Sequence, residues 1–565
     1  MFKTLLFRVA FCASLLLIAL FLLLGVLGPI FTSESIIFPY SLRPFDICSR
    51  YPEAWYYIKI AYVVFYFLST LILSNSVYLT FFKDFKMTDK PKEKLLDNSL
   101  CLSLTKNFSI PEKGLYQNML ITGTIGSGKT SSAMYPFYEQ LISYKALEPE
   151  QKIGMLILDV KGNFYNQVLE VAMCNYREDD VVVIELDGKY RYNPLDKPNL
   201  KPVVLADRLK TILTLFSKNN SESYWLDKAA QVLTEAIKLC RFYNNGYVTF
   251  MEIQKLISSP DYYKSKIHIL RESFKKGAFH EKDCFGLLTA IEFFETEFFN
   301  LDARVLSILK SEITRITSVF TSDFEVSSLF CPPKESLNFS GFRDVLEKGK
   351  IVVLHMNIAE HQNLAKILAA YLKLDFQSEV MASIKYGEAM RTTAFLCDEF
   401  QEFVTASDAN FFAQSREAKC INIVSTQSYS SLLDNLKDQT TVRVIVQSLI
   451  NKLWFRTDDS FTIEEIQKQL GKEEKLRTSS MLSENAKETN YDFLTRTFRS
   501  QNSNISESIN TYTQTDFIYD TNFFTSELKT FECLSFCSNG FEIIKPQKLK
   551  LTPYFQKRKD CDIYE

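Results

Sequence analysis

Two stretches near the amino end contain no charged side chain, Val9 to Phe31 and Ile60 to Phe82. As helices rising 1.5 Å per residue, each is long enough to cross a hydrocarbon core of about 30 Å. The first run is long for the apolar part of a cleaved leader, and no A-x-A cut site follows it. The second is rich in aromatic residues (Phe65, Tyr66, Phe67, Tyr78, Phe81, Phe82), which a buried core helix also carries. Beyond about residue 90 the pattern changes to short apolar runs that end in polar residues. Asn118–Thr122, Met155–Leu158, Gly349–Met356, Thr393–Cys397 and Cys420–Thr426 have the near-continuous apolar character of strands buried on both faces. Between residues 203 and 335 apolar positions recur instead at three- and four-residue spacing, as in Trp225, Ala229, Val232, Leu233, Ala236, Ile237 and Cys240. Helices are expected there, around Phe250–Ile257, Phe285–Phe299 and Val305–Phe320 as well. From Thr478 to Asp516 Ser, Thr and Asn dominate, which predicts an extended or mobile loop. Phe523 to Lys545 reads as a short helix and then a hairpin.

Charge orients the two apolar runs. Lys3 and Arg8 precede the first, and Lys83, Lys86, Lys90, Lys92 and Lys94 follow the second. The segment between them balances Arg43 and Arg50 against Glu34, Asp46 and Glu53. Positive flanks stay on the cytoplasmic side, so both chain ends are expected inside and the short loop outside. With 565 residues the chain has room for several units of about 150 residues. Its formal net charge is -2, so no global positive field marks a nucleic-acid binder, and any such surface must be a local patch or a channel shared by subunits. The twelve cysteines form no C-x-x-C pair and the four histidines have no ligand spacing. A zinc site is not expected, and reduced thiols fit a cytoplasmic body.

The most informative chemistry is Gly123-Thr124-Ile125-Gly126-Ser127-Gly128-Lys129-Thr130, which fits G-x-x-x-x-G-K-[ST]. Glycines let backbone N–H groups curl around phosphate oxygens, the lysine brings a point charge to the β- and γ-phosphates, and the threonine hydroxyl suits Mg²⁺. The loop is expected to leave the Asn118–Thr122 strand and open a helix from Thr130 to Tyr144. ATP and Mg²⁺ are the expected ligands, with Thr130 and Asp398 at the metal. Two later strands end in acids. Asp398 with Glu399 is the expected catalytic pair, since one carboxylate can hold the metal while its neighbour orients the attacking water. Asp159 is either a second acid near the phosphates or a solvated turn residue. Gln427 either senses the γ-phosphate or makes a strand-end hydrogen bond. Arg416 either points at a neighbouring subunit's ATP or is a solvated surface residue.

In order and spacing these motifs resemble the coupling proteins of type IV secretion and conjugation. Pro136 in the helix after the loop, Asp159-Val160-Lys161-Gly162, Tyr192-Asn193-Pro194-Leu195 and Asp398-Glu399-Phe400 match short signatures of that family. Arg416 and Gln427 fall where the family places an arginine finger and a motif glutamine. Val160 stands in place of the usual proline and Asn163 in place of a common acid. The resemblance implies an α/β, RecA-like P-loop fold over 86–202 and 340–565, an all-α insertion over 203–339 and a two-helix anchor over 1–85. It also implies a homo-hexameric ring in the bacterial inner membrane, in contact with membrane lipid. Its cargo would be single-stranded DNA with its relaxase, delivered to type IV secretion channel components. Three alternatives remain: a recruiter of secreted protein substrates, a chromosome-segregation pump, or a non-catalytic membrane scaffold. The intact Lys129, Thr130, Asp398 and Glu399 argue against the last.

Overall fold

The computed structural model describes residues 99–556, apart from short stretches at 160–161, 163, 216–222, 277–279, 322, 357, 385–390, 486–489, 495–496 and 500–503, and a few positions between 64 and 72. Both expected membrane spans lie outside the described residues except for those few positions. Among the described residues no helix is long and apolar enough to cross a membrane. The chain divides into two compact units, Met1–Asn98 and Ser99–Glu565, and the elements of the site all belong to the second.

That second unit begins with a hairpin of β1 (Cys101–Thr105) and β2 (Phe108–Pro111). There follow β3 (Met119–Thr122), β4 (Gly154–Leu158), β5 (Val181–Ile184), β6 (Ile351–Leu354), β7 (Thr393–Cys397), β8 (Cys420–Thr426) and β9 (Asn451–Phe455), of which β3, β4, β6, β7 and β8 are the expected strands. After a ribbon of β10 (Lys472–Asn485), β11 (Asn490–Asp492), β12 (Thr497–Arg499) and β13 (Asn504–Phe517) come β14 (Glu532–Ser538) and β15 (Ile543–Lys550). Nine of these strands form one sheet in the order β15-β14-β9-β3-β8-β7-β4-β6-β5. Every neighbouring pair from β9 to β5 is parallel; β14 runs against them, and β15, antiparallel to β14, returns to the common direction.

Alternation along each strand sends side chains into two cores, one on each face. Met119 and Ile121 of β3 pack with Met134, Phe137, Tyr138 and Leu141 on one face. Leu120 points to the other, with Leu156, Leu158, Val352 and Phe395. Parallel strands need this cover on both faces, so the carboxyl ends of β3, β7 and β8 meet at one edge of a fully enclosed sheet.

Between β5 and β6 the described residues form helices, chief among them Pro202–Leu215, Ser223–Tyr243, Phe250–Ser258, Pro260–Lys275, Glu281–Glu292 and Ala303–Thr317. Several start on side-chain caps: Thr249 accepts from the Glu252 N–H, Ser259 from Tyr262 and Asp302 from Arg304. Their core, where Phe250 stacks on Phe320 with ring centroids 4.1 Å apart, runs on without a break into one face of the sheet.

The polar stretch expected to be a loop from Thr478 to Asp516 is instead a two-stranded ribbon. β10 and β13 pair in unbroken antiparallel register from Lys472↔Phe517 to Asn485↔Asn504. Thr and Ser satisfy the pleat without building an apolar face, so the strands form while the hydropathy signal stays flat.

Candidate nucleotide site

β3 leads directly into the glycine-lined loop, and the expected helix after it is continuous, a wide turn over Thr130–Met134 and then Tyr135–Ser143. Gly126 has φ +77° and Gly128 φ +99°, conformations that L side chains rarely adopt. Gly123 is required by space: a Cβ there would sit 2.6 Å from the Phe455 Cβ. The loop is pinned at its base, where the Gly123 N–H donates to the Thr426 carbonyl at 3.3 Å and the Thr124 N–H to the Arg456 carbonyl at 2.9 Å. Lys129 is buried, and its Nζ reaches back to the carbonyls of Gly123 at 2.5 Å and Thr124 at 3.3 Å. The ammonium is thus held over the cradle, where a β- or γ-phosphate would lie in a P-loop.

The acidic pair meets this loop. Thr130 Oγ1 donates to Asp398 Oδ2 at 2.8 Å, joining residues 268 positions apart. Ser425 donates its hydroxyl to the other oxygen, Oδ1. The register explains this contact, since Cys397 of β7 pairs with Val424 of β8, which sets the next residues side by side. Asp398 is fully buried, and desolvation pushes its carboxyl above the ordinary range. The Ser425 and Thr130 hydrogen bonds oppose that shift, while the charges of Glu399 and Asp159 add to it. A buried carboxylate held beside a second acid fits a divalent cation, which would supply the missing positive charge.

Glu399 follows in the left-handed region, φ 51°. For a non-glycine residue this is a strained conformation of the kind found at functional positions. Its carboxylate accepts from Gln401 Nε2 at 2.6 Å and from Gln427 Nε2 at 3.0 Å. Gln427 thus makes a strand-end hydrogen bond, and its partner is the proposed catalytic acid. Asp159 is only 3% exposed, which excludes the solvated turn reading.

Arg416 is not brought to this cluster. It is exposed in the turn before β8, at the amino edge of the sheet, about 20 Å of strand away from the loop. Ile125 stands 77% exposed at the tip of the loop and contributes backbone only.

Three partners carry little or no signal in the sequence. Ser425 lies in a strand whose polar end is legible, but the register that selects it is not. Gln401 sits two residues beyond the acid, in the turn Phe400–Glu402. Phe531 lies four hundred residues downstream of the loop it touches. Its N–H donates to the Ser127 carbonyl at 3.0 Å, and a Cβ on Gly128 would meet its ring carbon Cδ1 at 2.4 Å.

Residues 392–516, from the strand that carries Asp398 to the end of the ribbon, match a family model described as the TraM recognition site of TraD and TraG. The chain is similar to the conjugative coupling proteins. Over 79% of its length it superposes on 86% of the bacterial conjugative coupling protein TrwBdeltaN70 in an unbound form, with a TM-score of 0.51 at 14% identity. The plasmid coupling protein TrwB in complex with ADP and Mg²⁺ gives a TM-score of 0.51 at 13% identity, over 79% of this chain and 87% of that one. At such identities these coupling-protein structures establish the fold: a mixed α/β body on a mainly parallel sheet. No curated protein matches the chain.

Proposed function

We propose that this protein is a membrane-anchored ATPase that works as a homo-hexameric ring and couples hydrolysis to movement of single-stranded DNA, or a nucleoprotein, toward a type IV secretion channel. The observation that carries the catalytic half is the Thr130–Asp398 hydrogen bond, which places loop and acids at one point. The transport half rests on the resemblance to coupling proteins and on the match over residues 392–516. Lys129 binds the β- and γ-phosphates of ATP. Thr130 and Asp398 would hold Mg²⁺, which when bound would screen the phosphate charge. Glu399 orients a water for in-line attack and accepts its proton, while Gln401 and Gln427 fix the carboxylate's direction. Gln427, at the end of β8, is the residue through which loss of the γ-phosphate would be felt by the rest of the sheet.

The test is ATP turnover by the purified full-length protein, with and without single-stranded DNA. Lys129→Ala is expected to abolish turnover. Glu399→Gln is expected to bind ATP and lower kcat by about 10²-fold or more. Unchanged turnover in Lys129→Ala removes the catalytic assignment. Wild-type turnover that ignores DNA but responds to a secreted polypeptide replaces the cargo and keeps the ATPase.

A further inference from the structure

On the sheet face opposite the phosphate-loop helix, Lys452 is the second residue of β9, pairing with Leu120 of β3 on one side and Phe536 of β14 on the other. It is 2% exposed. Its Nζ has one backbone contact, at the limit of hydrogen bonding, 3.5 Å from the Ile450 carbonyl, and lies 5.7 Å from the centre of the Phe536 ring. Among the described residues no carboxylate pairs with it. Burial pushes its amine down to about 8. A desolvated ammonium with so little compensation costs several kcal/mol, and a methionine would fill the same space without that cost.

The side chain lines a cavity of about 460 Å³ between β9, the helix Gln439–Ser448 and the helix Ser460–Leu470. Tyr429, Phe461 and Phe536 supply aromatic surface. Tyr429 is fixed by accepting from Trp454 Nε1 at 3.0 Å, so that wall is rigid. Arg443 and Lys468 stand at the rim and share Glu465, at 3.0 and 3.2 Å, and Lys468 also lies 3.7 Å from the exposed Glu464. Lys452, Arg443 and Lys468 against Glu464 and Glu465 leave one positive charge in excess, and it is the one on the buried Lys452. A buried cation at the floor, aromatic walls and an arginine fork at the mouth together suit a phosphate carried on a flat ring.

We infer that this cavity binds a nucleotide unit, with Lys452 anchoring its phosphate and the aromatic walls receiving its base, at a subsite separate from the ATP-binding loop. The inference rests on reading the chain as a strand-handling ATPase, and it supplies that reading with a contact point for the strand. A free mononucleotide and a nucleotide within a strand share this chemistry, and the probes separate them.

The experiment measures binding of fluorescent oligo(dT) to the full-length protein by anisotropy, over a range of salt concentrations, with dTMP as competitor. Lys452→Met and Arg443→Gln are each expected to weaken binding about tenfold. Each is also expected to reduce the slope of log affinity against log salt by about 0.7. Basal ATP turnover stays at the wild-type level in both, which certifies folding, and the exposed Arg443→Gln keeps the test alive if Lys452→Met expresses poorly. Lys129→Ala is expected to bind the strand normally. Displacement of oligo(dT) by millimolar dTMP marks a site for single units, whereas dTMP without effect marks a site that needs the strand. If wild-type protein binds oligo(dT) and both variants bind it equally well, the subsite is wrong and the strand-handling reading stands. If wild-type protein binds no oligonucleotide, both fall.

Discussion

Gly126 and Gly128 separate two reasons for glycine. Gly126 is left-handed, but a Cβ there would meet nothing within 4 Å. Gly128 is left-handed and its Cβ position is taken by the Phe531 ring. Gly126→Ala is expected to cost about 1–2 kcal/mol of loop stability and retain partial ATP binding. Gly128→Ala is expected to lose binding altogether, read by fluorescent nucleotide titration; equal affinities in the two variants refute the brace. Lys452 makes a second residue-scale prediction. Its amine is lowered to about 8 in the folded chain against 10.5 in the unfolded one, and Lys197 is also lowered to about 8. Between those values the unfolded chain holds more protons at these lysines, so their contribution to stability climbs as pH rises, while buried thiols and tyrosines with raised values act the other way. Lys452→Met should be at least as stable as wild type at pH 7, and the wild type should gain on it between pH 8 and 10.5. A difference between the two that stays flat in urea titrations across that range dismisses the depressed amine.

At the scale of elements, the carboxyl-terminal hairpin is part of the nucleotide site. Phe531 enters β14 with φ 67°, a strained value for a phenylalanine, and from there braces the outer, carbonyl side of the loop. Phe531→Gly relieves the strain and removes the ring. The expected result is a rise in KM for ATP of about fivefold, worth on the order of 1 kcal/mol, with kcat changed less. A pure loss of kcat would place Phe531 in the chemistry instead. Legibility in the sequence followed the range of each contact. The loop, its strand and its helix were readable because their signal is local and tied to fixed spacing. Asp398 and Glu399 were readable because an apolar strand ending in paired acids is itself a pattern. Ser425 was not, because a serine at a strand end is ordinary until register places it beside Asp398. Phe531 carries no local mark of the contact it makes across the fold. Thr478 to Asp516 reads as an extended or mobile loop, and not as part of a paired ribbon, because its pairing is written in Ser and Thr, which hydropathy does not register.

At the scale of the whole molecule, Arg416 tests the ring. Its place at the far edge of the sheet means it cannot assist ATP bound to its own loop, so any catalytic part it plays must be across a subunit boundary. Mixing Arg416→Ala with Lys129→Ala protein should recover part of the ATPase rate, because some boundaries then pair an intact loop with an intact arginine. Mixtures as inert as either variant alone would return Arg416 to the solvated surface.

The Phe531–Ser127 contact also sets when in the life of the chain the site comes into being. A ribosome delivers the loop about four hundred residues before the residue that braces it. Until then the glycines have no outer support, and a product terminated before residue 531 would carry the signature motif without its brace.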